Sequence, residues 1–176
     1  EREVVGGLLQ QTLEFLAPAH REPTGDTFDD LVATLGVRPL RDPSITRQTP
    51  LDPALERLLP SANRDDPVMA AEFRRLTEHG LRERKSSNLG MASAALQAAD
   101  GDKVRLDKAQ AQATVVALTD VRLLLGERLG LRTDDDADAL QDRLEAASED
   151  DPQLYLAAYY DFMTWLQESL TEALMA

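Results

Sequence analysis

Two histidines, one dense acidic run and one basic stripe are the residues of this 176-residue chain whose types and spacing bear on chemistry; cysteine is absent. Neither His20 nor His79 follows a glutamate by three residues, so the Glu-x-x-His pattern of di-iron bundles is missing, as is the HExxH zinc pattern. They read as a loop residue and a helix-surface residue. Without cysteine there is no disulfide, thiolate catalysis, thiolate metal site or thiol switch carried by these residues. Asp134, Asp136, Asp138, Asp142 and Glu145 do match the oxygen-ligand spacing of a calcium loop. Ala139, however, stands where that loop turns on glycine, and the run is expected to be an acidic helix start instead.

The basic stripe is Arg75, His79, Arg82 and Lys85, at spacings of four, three and three that put them on one helical face, with Arg74 and Arg84 adjacent. Its ordinary reading is pairing with Glu72, Glu78 and Glu83 or with the acidic 134–151 region. Its functional reading is a contact for an acidic partner protein or for phosphate. Asp120, Arg122, Gln167 and Glu168 lie among apolar neighbours and are expected to be structural, as buried polar groups that fix helix register. Asp120 and Arg122 do not share a face, so each should pair with another helix. Near Trp165 the alternative is an exposed aromatic interaction patch. No Ser-His-Asp set, phosphate-cradling glycine loop or nucleophile elbow appears, so no catalytic residue, metal or cofactor is expected.

The formal charge of −13 argues against electrostatic wrapping of nucleic acid or of an anionic membrane, because such binding draws on lysine and arginine. No apolar run approaches the length of a membrane span and no secretory signal is visible, so one ordinary soluble domain is expected. The chain opens on Glu1 already inside a helical pattern, as expected of an excerpt whose true start lies upstream.

The elements that must position these residues are helical throughout. From Asp107 to Gly130, Ala111, Val115, Leu118, Val121, Leu125 and Leu129 form an apolar stripe that Val116, Leu123 and Leu124 widen beyond a surface helix's face. This segment, about 108–129, should be a buried central helix, capped by Asp107 and ended by Gly130. Before it come an amphipathic helix over residues 1–16, a short one over 27–35 and another after Pro53. A long helical pattern then runs from Asp66–Pro67 to about Ala99, open to a kink or break at Gly80 or at Ser86–Gly90. After it come a helix from Thr133 to about Ala146, burying Leu140 and Leu144, and a long one over about 152–175 opened by Asp151–Pro152. The last carries Tyr159, Met163, Leu166, Leu170 and Leu174 on one stripe, with Tyr155, Phe162 and Trp165 beside it. The fold class is all-α: a single-domain bundle over residues 1–176 of about six to eight helices.

The segments DPALERLLPSANRDDPVMAAEFRRLTEHGLRERKSSNL, TDVRLLLGERLGL and YYDFMTWLQESLTEAL, in that order, resemble an actinobacterial family of unknown function encoded beside the ClpS protease adaptor. That family includes the mycobacterial oxidative-stress regulator AosR. The likeness is most specific at Leu-Leu-Pro followed by Asp-Asp-Pro, at Asp120 to Leu123, and at Trp165 to Glu168. Where the family commonly reads Asn-Asp-Leu-Arg, Thr119 and Val121 stand here. The resemblance implies a non-enzymatic cytoplasmic regulator that works through a protein partner, a sigma factor or other transcription machinery; an accessory role in the Clp system or a carboxylate metal protein are the alternatives. In the stress regulator an oxidised cysteine pair triggers sigma-factor binding, and that switch has no counterpart in this cysteine-free chain. Arg75, His79, Arg82 and Lys85 are the residues expected at the partner surface. Direct nucleic-acid binding is not expected, and a homodimer stays open.

Overall fold

A computed structural model describes residues 1–17, 52–60, 66–101 and 103–176, apart from the side chains of residues 67, 68, 70–72, 74 and 75. Among the described residues there are six helices, α1 (Arg2–Leu16), α2 (Pro53–Leu58), α3 (Pro67–Gln97), α4 (Lys108–Leu129), α5 (Asp134–Glu145) and α6 (Pro152–Met175), and no strand. The fold is all-α. The expected helix over residues 27–35 lies outside the described residues.

Local chemistry explains where most of these helices begin. The side chain of Asp52 accepts a hydrogen bond from the Ala54 amide at 2.9 Å, with Pro53 in the first turn. Asp66 and Asp151 do the same ahead of Pro67 and Pro152, accepting from Met69 at 3.1 Å and from Gln153 at 2.8 Å. In each case the carboxylate satisfies an amide that the helix itself leaves free, and proline supplies a φ suited to the first turn. Asp107 and Gln110 form a reciprocal capping box at 2.8 and 2.9 Å, and Thr133 with Asp136 forms another. At the end of α4, Gly130 takes φ +78°. The Leu131 amide then reaches the Gly126 carbonyl at 2.8 Å, closing a Schellman turn.

Helix α4 is the hub, packing against α1, α2, α3 and α6. Ala117, Leu118 and Val121 are fully buried, and around them gather Val5, Leu9 and Leu16 of α1, Leu58 and Leu59, Leu89 and Ala92 of α3, and Met163 of α6. A smaller cluster of Leu129, Leu140 and Ala157 holds α5 against the C-terminal end of α4. Val116, by contrast, is exposed, so the hub is open on one side. Helix α3 runs unbroken for 31 residues, roughly 46 Å, through Gly80 and the Ser86–Gly90 stretch. The burial of Leu89 and Ala92 against the core outweighs the weak helix propensity of Ser-Ser-Asn and glycine.

Candidate functional site

On two sides of α4, one facing α3 and the other facing α6, apolar packing gives way to polar contacts. Asp120 of α4 is 1% exposed and forms an ion pair and hydrogen bond with Lys85 of α3. Burial pushes its carboxyl up from the ordinary range, against the hydrogen bond and charge of Lys85, which pull it down. One turn-half further along α4, Arg122 points the other way. Its Nη1 donates to Gln167 Oε1 of α6 at 2.8 Å, and its guanidinium lies 5.3 Å from the centre of the Tyr160 ring. The Gln167 amide in turn donates to Thr119 Oγ1 at 2.6 Å and to the Val115 carbonyl at 3.2 Å. These bonds pin the antiparallel pair α4–α6 in one register. Asp120 Oδ2 and Arg122 Nε are buried with no hydrogen-bond partner among the described residues.

A second set of charges closes the far end of α4. Glu127, whose side chain is 8% exposed, receives Arg132 and lies 3.7 Å from Arg57 Nε. Arg57 also donates to the Leu131 carbonyl at 2.6 Å, and Arg143 to the Leu129 carbonyl at 3.2 Å. Cations thereby meet the unpaired carbonyls and the negative dipole end of α4. In both sets a buried carboxylate is met by a cation from another part of the chain.

An exposed strip of α6 has another character. Tyr155 and Trp165 are 56% and 60% exposed, and half-buried Phe162 stacks on Trp165 with ring centres 5.8 Å apart and planes 19° from parallel. Steps of seven and three residues keep all three on one side of the helix, as a ridge about 15 Å long. Asp161, Glu168 and Glu172 are exposed along one flank, and from Pro152 to Met175 α6 contains no lysine or arginine. At its C-terminal end a groove of about 310 Å³ is lined by Arg122, Gln167, Glu168, Thr171, Glu172 and Met175. An aromatic ridge beside a carboxylate row can hold an apolar and cationic surface.

Residues 1–174 match the model of a family described as a domain of unknown function, DUF2017. The chain belongs to this family. No curated protein and no solved structure matches it.

In this DUF2017 chain two residues of the expected basic face, Arg82 and Lys85, are engaged with the rest of the fold. Arg82 is bound to Glu78 at 2.8 and 3.0 Å and donates to the Leu16 carbonyl, tying α3 to the end of α1, while Lys85 is committed to Asp120. Both cations are thus paired with carboxylates of the same chain, Arg82 with Glu78 and Lys85 with Asp120. His79 remains exposed, 3.8 Å from Glu83, whereas the side chain of Arg75, like His20, lies outside the described residues. Arg122 and Gln167 come together between α4 and α6, whereas Asp120 pairs separately with Lys85 of α3. One residue past Gln167 on α6, Glu168 is exposed rather than set in a polar core. The calcium-like spacing falls on continuous helix, since Asp134 to Glu145 is α5, and the Asp136 carboxyl is turned back onto Arg132 and Thr133 as part of its capping box. Among the described residues no three His, Asp or Glu side chains group to hold a metal ion, and no helix is long and apolar enough to cross a membrane. Sequence reading missed the role of Glu127; an acid so close to a helix C-terminus with Arg57 and Arg132 in the chain was the available signal.

Proposed function

We propose that this DUF2017 chain is a non-enzymatic interaction protein, whose helical scaffold presents the outer face of α6 to another protein. The observation that carries the reading is the aromatic ridge: two large aromatic side chains more than half exposed on a helix whose other side is fixed to the hub. Aromatic residues left in water at that density are typical of contact surfaces. The partner class comes from the resemblance to the family that includes AosR, and is a sigma factor or another component of the transcription machinery. Cytoplasmic location belongs to the same reading. Redox control by a cysteine pair does not, since these residues contain none.

The test is crosslinking of the native protein in its host, followed by mass spectrometry of the captured peptides. Recovery of a sigma factor or polymerase subunit supports the proposal. Capture of Clp protease components alone, or of no transcription protein, overturns it in favour of the accessory reading.

A further inference from the structure

We infer that the α6 ridge is built for one kind of occupant, a lysine- or arginine-rich amphipathic helix of a partner protein. The inference rests on the interaction reading above and adds the chemistry of what is recognised. Tyr155, Phe162 and Trp165 supply an apolar, aromatic strip long enough for about three helical turns. Beside it run Asp161, Glu168 and Glu172, at spacings of seven and four, so the carboxylates lie along one flank of the strip. None of the three pairs with a lysine or arginine among the described residues, unlike Asp120, Glu78 and Glu127. A helix laid along α6 with cations at the same spacings meets all three.

The groove at the end of the ridge extends the fit. Met175 offers an apolar wall for the stem of a lysine or arginine, and Glu168 and Glu172 receive its charged head. Arg122 also lines this groove, yet Gln167 and the Tyr160 ring already occupy its guanidinium, and two carboxylates outnumber it. A second copy of the chain is a poor occupant: a two-fold contact through α6 sets one acidic row against its own image, in a molecule already at −13. An anionic membrane or nucleic acid is repelled for the same reason.

Calorimetric titration of the whole chain with synthetic helical peptides tests this. One peptide carries an apolar strip with lysines at the matching spacings, a second replaces those lysines with glutamate, and a third with glutamine. The lysine peptide is expected to bind at least tenfold more tightly than the glutamine peptide, the glutamate peptide not measurably, and the preference to shrink as salt rises. Trp165→Ala is expected to weaken the lysine peptide at least tenfold. Asp161→Asn with Glu168→Gln and Glu172→Gln, which keeps shape and removes charge, is expected to abolish the lysine preference. Both variants alter exposed groups, and unchanged thermal unfolding verifies their fold. Equal binding of the three peptides, no binding of any, or dimerisation of the chain through α6 in sedimentation overturns the inference. Host crosslinking that captures a transcription partner at a face other than α6 overturns it as well, while leaving the partner class standing.

Discussion

Replacing Lys85 by methionine strips Asp120 of its counter-charge without opening a cavity of comparable length. The two side chains are 16% and 1% exposed, so the variant leaves a carboxylate stranded between α3 and α4. Removing one member of a buried ion pair in this way costs about 3–5 kcal/mol at neutral pH. Asp120→Asn strands nothing comparable: asparagine keeps an acceptor and donor, and the ammonium, nearer to water, swings out on its flexible stem. We expect that variant to lose about 1–2 kcal/mol. Lys85→Met combined with Asp120→Leu should recover most of the loss, since apolar replacement of a whole buried pair is close to neutral or better.

The pH dependence follows from burial. Asp120 already titrates above the ordinary value of 3.8 because burial outweighs the pull of Lys85, and loss of the lysine raises it further. With a raised folded-state value, the folded chain holds this proton more tightly than the unfolded chain does. The contribution is therefore fully present below the unfolded value and is lost as pH rises through the folded one. The Lys85→Met deficit should accordingly be full at neutral pH and shrink toward acid. Urea unfolding followed by circular dichroism measures it: with a slope of about 2 kcal/mol per molar, a loss of 3–5 kcal/mol lowers the midpoint by about 1.5–2.5 M. Equal losses for Lys85→Met and Asp120→Asn, or a Lys85→Met deficit that ignores pH, would refute the reasoning.

Other positions give independent tests. Gly7 is exposed within α1 and an added Cβ meets nothing within 4 Å, so Gly7→Ala should stabilise by about 0.5–1 kcal/mol, seen as a higher melting temperature. Gly130→Ala has equal space but φ +78°, and should destabilise by about 1–2 kcal/mol in the same melts. Leu118→Ala, at a fully buried hub position, should cost about 2–5 kcal/mol in urea unfolding. Hydrogen bonds from the Thr133 side chain and from the Thr133 and Arg132 amides hold the Asp136 carboxyl below the ordinary range, so its contribution exists above that range and disappears as pH falls through the lowered value. Asp136→Asn should thus melt lower than the parent at neutral pH and converge with it in strong acid.

Much of the fold was legible because its signals are local. An aspartate before proline, a capping box at Asp107 and a glycine ending α4 act within one turn, so the residues that set them are neighbours in sequence. The unbroken passage of α3 through Ser86–Gly90 was not legible, because it depends on Leu89 finding the hub from another part of the chain. The basic stripe shows the same limit. Spacing correctly aligned Arg82 and Lys85 on one face, but what stood opposite that face was the Leu16 carbonyl in one case and Asp120 in the other. At Gln167 and Glu168 a single residue step, about 100° of rotation, separates a bond to α4 from open water. Periodicity identifies such a boundary only to within a residue. The aromatic ridge was visible as composition, and its exposure required the neighbouring helices to be in place.

The stacked pair at Phe162 and Trp165 has an optical consequence. Trp165 is the chain's one tryptophan and already sits in water, so its emission should start at the long-wavelength end and change little as the protein unfolds. An occupant that covers the indole should instead shift that emission toward the blue. The molecule thus has a built-in dye, silent to the loss of its core and responsive to whatever settles on its surface.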